Sequence, residues 1–260
     1  MLESNLQETA IKQGVTRRDF LKFCSMMAGV LALPRSYSTY IEQALAAPKR
    51  LPVIWLELQD CAGCTEALLR ATQPTVSQLV LDVLSVDYHE TIMAASGNLA
   101  EEAKEAAIKA GGYLLVVEGS IPQGDGEFYC TIGGKSAMQL LKEAAANAAA
   151  VVAVGNCSSF GGWPMASPNP TNATFVSELI KDKPVMNLPG CPYNPVNLTA
   201  AIVHFLTFGE LPAMDDLHHE RLRQDVVNAN EARAVPAAVV GLKVGSVIEF
   251  GNGDVVNHQS

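Results

Sequence analysis

The sequence predicts an α/β fold in which a parallel sheet is covered by helices on both faces. Short, nearly all-apolar segments alternate with helical segments from residue 48 to about residue 209, which is typical of buried parallel strands and their crossover helices. The composition agrees, because 48% of the 260 residues are hydrophobic and 17% are charged. A chain of this kind can fill a sizeable core and is not disordered by composition.

The individual elements follow from the order of these segments. Strands are predicted at residues 51–58, 79–88, 113–120, 149–156 and 183–190, where apolar side chains dominate. Helices are predicted at residues 65–72, 99–111, 136–148 and 194–209; Gly111 or Gly112 ends the second, and Pro195 lies in the first turn of the last. These units predict a flavodoxin-like, doubly wound parallel sheet with the strand order 2-1-3-4-5, followed by a short irregular C-terminal tail.

The first 47 residues are predicted to be a twin-arginine signal peptide. The stretch TRRDFLKFCSMMAGVLALP at residues 16–34 has paired arginines before a moderately apolar run, and QALAAP supplies an A-x-A cleavage pattern around Leu45. We expect cleavage after Ala46 or Ala47; an amphipathic N-terminal helix is the alternative interpretation. Twin-arginine export carries folded proteins, many of which receive a cofactor in the cytoplasm, so the signal predicts a periplasmic location and favours a cofactor.

Nucleic acid is not expected as a partner. The formal net charge is −9, and no stripe rich in Lys and Arg stands out. Neutralisation of a phosphate backbone needs clustered cations, which this sequence does not supply.

Four cysteines follow strands of the predicted sheet. Cys61 and Cys64 follow the first strand, Cys157 follows the fourth, and Cys191 follows the fifth. Ligands of open α/β sheets bind at the carboxyl edge, near the topological switch point, so these thiols are expected to converge there. Glycines beside them leave room for close backbone approach.

Three kinds of site could use these thiols. A thioredoxin-like C-x-x-C disulfide gives no role to Cys157 or Cys191. A structural zinc with four cysteines usually uses two C-x-x-C pairs on small ribbons. An iron–sulfur cube held by four thiolates fits the spacing best. Cys130 is expected to be a buried structural thiol, and Cys24 would leave with the signal.

Several motifs, in order along the chain, resemble those of one protein family. The sequences TRRDFLK, CAGCTEALLRATQPT, VDYHETIMAASG, VVEGSIP, GNCSSFGG and LPGCPYNP are similar to the small subunit of periplasmic, membrane-associated uptake [NiFe] hydrogenases. The resemblance implies that a partner large subunit holds the nickel–iron centre that splits H2, so that this chain has no catalytic centre of its own. It further implies an electron-transfer role, with the proximal [4Fe–4S] cluster held by Cys61, Cys64, Cys157 and Cys191.

The same resemblance implies neighbours in a larger assembly. The subunit would relay electrons to a membrane cytochrome b or a quinone-linked acceptor, and it would be peripheral to the inner membrane through its partners. Glu66 and the loop at residues 118–122 match family motifs near the large-subunit interface; ordinary solvated loop polarity is the alternative interpretation.

The resemblance ends at about residue 216. The family continues with a His and further cysteines that bind a medial [3Fe–4S] or [4Fe–4S] cluster and a distal [4Fe–4S] cluster, whereas no cysteine follows Cys191 here. We therefore expect three parts: a signal at residues 1–47, a flavodoxin-like iron–sulfur domain at 48–210, and an atypical tail at 211–260. The expectation is an incomplete relay; a truncated or frameshifted gene product is favoured, and a natural variant with another electron exit is the alternative. Residues from about 217 on are expected to be poorly packed, with His218, His219 and His258 at the surface. An exported α/β redox or zinc-binding module with a C-x-x-C disulfide is the alternative function.

Overall fold

The computed structural model describes residues 17–45, 50–72, 75–76, 83–214 and 218. Its centre is a five-stranded parallel sheet with the order 2-1-3-4-5, as the sequence predicts. The strands are β1 (Leu51–Glu57), β2 (Leu84–His89), β3 (Leu114–Glu118), β4 (Ala150–Val154) and β5 (Val185–Leu188). The α/β, flavodoxin-like fold class is therefore confirmed.

Nine helices are assigned in the described part of the chain. They are α1 (Arg17–Val30), α2 (Ser38–Leu45), α3 (Gly63–Leu69), α4 (Asn98–Ala110), α5 (Ala137–Ala146), α6 (Gly155–Phe160), α7 (Gly162–Met165), α8 (Val176–Leu179) and α9 (Pro195–Phe208). Two 3₁₀ turns, Arg35–Tyr37 and Gly124–Tyr129, and a small antiparallel pair, Thr131–Ile132 with Lys135–Ser136, complete the description.

The predicted elements match these with shorter ends. The second strand, predicted from residue 79, begins at Leu84 among the described residues; positions 79–82 lie outside them. The first helix begins two residues earlier than predicted and ends at Leu69, because its N-terminus is fixed by a distant carboxyl group rather than by a local capping residue. Helices α6, α7 and α8 were not predicted, since they are too short to show a helical period.

Alternate residues of β1 enter two separate cores. Ile54 and Leu56 pack on one face with residues of α4 and α5. Val53 and Trp55 pack on the other face with residues of α3 and α9. Because side chains of a strand alternate between faces, covering both faces makes the strand almost continuously apolar, which is why it was recognisable in the sequence.

The N-terminal segment packs on the outer side of α9. Cys24 of α1 and Ile41 of α2 are fully buried in a small core that also contains Ala200 and Val203 of α9. The Tyr37 ring lies 6.0 Å from the Phe208 ring at the end of α9. The twin-arginine assignment of this segment stays a prediction, as do the domain limits. Within the described residues, no helix combines the length and apolarity needed to cross a membrane.

Most of the predicted tail lies outside the described residues. The structure describes its first four residues, 211–214, and His218, which is exposed as expected and whose carbonyl oxygen accepts a hydrogen bond from the N–H of Asn187 in β5 at 2.7 Å. His219 and His258, and with them the expectation of a poorly packed tail, lie in the part that is not described.

Candidate metal centre

All four predicted cysteines lie at the carboxyl edge of the sheet. Cys61 follows β1 and is exposed, and Cys64 lies in the first turn of α3 and is buried. Cys157 lies in α6, directly after β4, and is half-buried; Cys191 follows β5 and is exposed. This edge is the expected ligand site of a doubly wound sheet, so the topology brings together thiols that are 130 positions apart in sequence, from 61 to 191.

Glycine backbone lies against three of the sulfurs. A Cβ atom added at Gly155 would overlap the sulfur of Cys64, and one added at Gly162 would lie 2.7 Å from the sulfur of Cys157. A Cβ at Gly63 would lie 3.2 Å from the sulfur of Cys61. The φ of +83° at Gly155 is a second reason for glycine there, since L side chains rarely adopt it.

The thiols act on one another electrostatically. Burial, and after it the neighbouring thiols of Cys191 and Cys61, raise the pKa of Cys157 to about 11. The pKa of Cys64 is also raised, first by burial, then by the carboxyl group of Glu118, and further by Cys157 and Cys61. Four thiolates this close would repel one another, so their ionised form needs a positively charged group among them.

Glu118 fixes the start of α3, where Cys64 lies. It is 2% exposed, its Oε1 accepts from the N–H of Cys64 at 2.9 Å, and its Oε2 accepts from the N–H of Thr65 at 2.9 Å. Asp60 accepts from the N–H of Ala62 at 3.0 Å, which shapes the C-x-x-C loop. The first N–H groups of a helix need such partners, so these two acidic residues orient the loop that carries Cys61 and Cys64.

A reciprocal pair of hydrogen bonds ties the other two cysteine loops together. The N–H of Asn156 donates to the carbonyl of Gly190 at 2.8 Å, and the N–H of Gly190 donates to Oδ1 of Asn156 at 2.8 Å. Cys157 and Cys191 each directly follow one of these residues. Their backbones are therefore held in a fixed relation by the polypeptide itself.

Cys130 and Cys24 do not belong to this group of thiols. Cys130 is half-buried, and its pKa is raised to about 11 by burial, with Asp60 and Glu90 as further causes rather than the four thiols. Cys24 lies in the N-terminal segment. Glu66 is exposed and forms an ion pair with Arg70 at 2.6 Å, whereas Glu118 of the other family motif is buried.

Exposed apolar side chains lie just beyond Cys157. Trp163 of α7 is 89% exposed, and Met165 is 39% exposed. A tryptophan with so much of its surface in solvent is unusual in a monomeric protein and is typical of a surface that meets a partner.

A group of buried polar residues beside the cysteines was not predicted. Glu57 at the end of β1 and His89 at the end of β2 are 8% and 0% exposed, and Glu90 follows. Burial lowers the pKa of His89 to about 4 and raises that of Glu90 to about 7. In the sequence, the acidic residue Glu57 at the end of the apolar run LPVIWLE could have indicated this polar group, because a carboxyl group is unusual in a buried strand.

Thr65 joins this polar group to the cysteine loop. Its hydroxyl lies 2.9 Å from Oε1 of Glu57 and 2.7 Å from Oε2 of Glu118. One hydroxyl has one hydrogen to donate, so a second hydrogen bond requires a proton on one of the two carboxyl groups. Burial raises the pKa of both groups, to about 7 for Glu118, which agrees with a shared proton.

Known proteins are similar in sequence to most of this chain, including the segments that carry the four cysteines. A sequence profile of the family described as NADH ubiquinone oxidoreductase, 20 kDa subunit, matches residues 61–205, which contain all four cysteines. The quinone-reactive Ni/Fe-hydrogenase small chain of Wolinella succinogenes is 46% identical over 208 residues, which are 78% of this chain and 58% of that protein. The periplasmic [NiFe] hydrogenase small subunit of Solidesulfovibrio fructosivorans is 42% identical over 211 residues, which are 81% of this chain and 67% of that protein.

A solved structure is similar in fold as well as in sequence. A chain of the reduced, active Ni-Fe-Se hydrogenase of Desulfomicrobium baculatum superposes with a TM-score of 0.63 and 34% identity, covering 66% of this chain and 70% of that chain. The chain spans 55 to 58% of the length of the hydrogenase small chains that it matches at 44 to 46% identity.

Proposed function

The chain belongs to the family of [NiFe] hydrogenase small subunits, and from this membership we propose that it is the electron-transfer subunit of such an enzyme. In this proposal H2 is oxidised to protons and electrons at a nickel–iron centre in a large subunit, and this chain receives the electrons. The chain therefore contributes to an oxidoreductase without holding the catalytic centre.

The observation that supports this proposal most is the arrangement of the four thiols. Cys61, Cys64, Cys157 and Cys191 share one edge of the sheet, and glycine backbone leaves space at the sulfurs. Four cysteines are the usual ligand set of a [4Fe–4S] cluster, and thiolates are the donors that iron–sulfur clusters require. We propose that these four residues hold one such cluster, the proximal one, which when bound accepts and passes on single electrons.

The rest of the chain positions those ligands. Glu118 and Asp60 orient the loop of Cys61 and Cys64 through backbone N–H groups, while Asn156 and Gly190 couple the loops of the other two cysteines. Cys64 lies in the apolar core to which Val154 and Leu188 also belong, and the exclusion of water by such a core is one of the factors that tune a cluster's potential.

The exposed side of the site supports the proposed partner. Cys61 and Cys191 are exposed, and Trp163 lies beyond Cys157 with 89% of its surface in solvent. A cluster that receives electrons from another subunit must lie close to the shared interface, so we propose that this face meets the large subunit. Export by the twin-arginine route, a periplasmic location and delivery of electrons to a membrane cytochrome b or a quinone-linked acceptor belong to the same proposal.

Metal and sulfide analysis tests the proposed cluster directly. Anaerobically purified protein should contain about four irons and four acid-labile sulfides per chain and show the broad brown absorbance of such a cluster. Cys157→Ser should lose most of the iron. Cys130→Ser is the matched control, since that half-buried thiol lies apart from the four, and it should keep the iron. Zinc in place of iron, or a Cys61–Cys64 disulfide without metal, would support the alternative exported redox or zinc-binding module.

A further inference from the structure

A second cluster of potential ligands lies at the carboxyl ends of β1 and β2. Glu57, His89 and Glu90 each direct one ligand atom into a common space, and these three atoms lie within 4.8 Å of one another. Glu57 and His89 are more than nine-tenths buried. None of these residues is part of the proposed cysteine site.

Hydrogen bonds satisfy only part of this cluster. Oε1 of Glu57 accepts from the hydroxyls of Thr65 at 2.9 Å and Thr91 at 3.2 Å, but its buried Oε2 has no hydrogen-bond partner and lies 3.6 Å from Nδ1 of His89. Oε2 of Glu90 accepts from the N–H of Glu57 at 3.1 Å, whereas its buried Oε1 has no hydrogen-bond partner.

The imidazole does not supply the missing hydrogen. The N–H of Thr91 donates to Nδ1 of His89 at 3.3 Å, so Nδ1 is the acceptor nitrogen of the neutral ring. The ring's own N–H is then on Nε2, which faces the hydroxyl of Thr65 at 3.4 Å. The two unpartnered oxygens therefore receive no hydrogen from the imidazole, and Nδ1 of His89 lies beside Oε2 of Glu57 as a third lone pair. Either a proton kept by one of the carboxyl groups or a bound cation would satisfy them, and leaving buried acceptors with neither is costly.

The buried lysine next to this cluster is engaged elsewhere. Nζ of Lys104 forms an ion pair with Glu101 at 2.6 Å and lies 4.8 Å from the centre of the Tyr88 ring. Its positive charge acts on Glu90 and lowers the pKa of that carboxyl group, but Oε2 of Glu57 and Oε1 of Glu90 still have no hydrogen-bond partner. The space between Glu57, His89 and Glu90 thus favours a positive charge that the neighbouring lysine does not provide.

We propose that Glu57, His89 and Glu90 form a binding site for a divalent cation of the zinc type. One imidazole nitrogen with two carboxylate oxygens is a ligand set that Zn²⁺ accepts, and a water molecule would complete a tetrahedron. The hydroxyls of Thr65 and Thr91 hydrogen-bond to Oε1 of Glu57 and so orient its Oε2 towards the cation, as outer partners of metal ligands commonly do. The cation would join the ends of β1 and β2 and replace the weak contact between Thr91 N–H and His89.

Zinc content of cluster-loaded protein tests this site. Anaerobic protein is equilibrated with micromolar Zn²⁺, passed through a desalting column and analysed for zinc and iron in the same sample. Wild type should retain about one zinc per chain, and Glu57→Gln and His89→Gln should each lower zinc affinity by about tenfold or more. The control, Glu143→Gln, removes an exposed carboxylate of α5 that pairs with Lys135 and should bind zinc like wild type.

Iron content separates this proposal from that of the cluster. Loss of zinc with unchanged iron in Glu57→Gln supports a separate cation site, and circular dichroism should show that the variant is folded. Added zinc should also raise the unfolding temperature of wild type but not of Glu57→Gln. Wild type that retains no zinc would mean that a shared proton alone satisfies the three groups. Zinc that survives both substitutions but is lost in Cys157→Ser would assign it to the cysteines, and either result would overturn the proposal.

Discussion

The carboxyl group of Glu118 accepts a hydrogen bond from the backbone N–H of Cys64, 54 positions earlier in the chain, at a distance of 2.9 Å. The second oxygen of the same carboxyl group accepts from the backbone N–H of Thr65 and lies within hydrogen-bond distance of its hydroxyl. One buried side chain at the end of β3 therefore anchors the start of α3. No capping side chain of α3's own does this, because Ala62 occupies the cap position. The cysteine loop therefore depends on a residue from another strand.

Glu118→Ala should weaken both the fold and the metal site. It removes the acceptor of two backbone N–H groups in a buried place, which we expect to lower the free energy of unfolding by about 3 kcal/mol. Urea unfolding followed by circular dichroism measures this, and iron analysis should show partial loss of metal. The exposed Glu102→Ala on α4 is the control. Equal stability of the two variants would show that Glu118 does not anchor the helix.

Gly155→Ala should expel the proposed cluster. Its Cβ would overlap the sulfur of Cys64, and φ is +83° at this position. Gly134→Ala is a matched control, because its φ is +80° but a Cβ there meets nothing within 4 Å. Both variants should lose about 1 to 2 kcal/mol from the left-handed backbone. Iron analysis should find metal lost in Gly155→Ala alone; full iron in both would contradict the close packing described here.

Tyr113 should make stability fall at alkaline pH. Its hydroxyl is buried and donates to the carbonyl of Ala144, and burial raises its pKa to about 12. Since an unfolded tyrosine ionises near pH 10, the unfolded chain releases this proton first, and stability is lost as pH rises from about 10 towards 12, by up to about 3 kcal/mol. Below pH 10 this group contributes no slope.

Urea midpoints at pH 8 and pH 11 measure this effect. Tyr113→Phe should be less stable than wild type at pH 8, by about 1 kcal/mol for the lost hydrogen bond, and should lose less stability at pH 11. Tyr129→Phe, which changes a tyrosine that is 74% exposed, should follow wild type at both values. A wild type and a Tyr113→Phe with the same alkaline slope would disprove the assignment.

In the uncleaved chain, which still contains the predicted signal, Cys24 should report whether the N-terminal segment packs on α9. The thiol is fully buried, and burial, followed by the nearby Glu42, raises its pKa to about 12, so alkylation at neutral pH should be slow. Val203→Asp places a charge in the shared core and should accelerate labelling of Cys24 by more than about tenfold, as measured by peptide mass spectrometry. Leu99→Asp, at a side chain of α4 that is 68% exposed, should leave it slow. Fast labelling of the wild type would exclude this packing.

Much of the fold was readable because both faces of the sheet are covered. Strands such as β1 and β3 are nearly all apolar, so their number and order followed from sequence, and the cysteines following β1, β4 and β5 had to lie at one edge. The short helices α6 and α7 could not be foreseen, because six and four residues show no period. Glu57 and Glu118 were equally hidden, since their roles depend on partners such as Thr65 and His89 that only the folded chain brings near.

The paired hydrogen bonds between Asn156 and Gly190 have a consequence for how a metal group would enter the molecule. Two of the three segments that carry the four cysteines are already joined by hydrogen bonds before a metal group binds. Only the segment that carries Cys61 and Cys64 has to adjust, and its inner thiol is itself held by Glu118. Folding thus preorganises the metal site. The conformational entropy of bringing distant cysteines together is lost when the polypeptide folds rather than when the metal group binds.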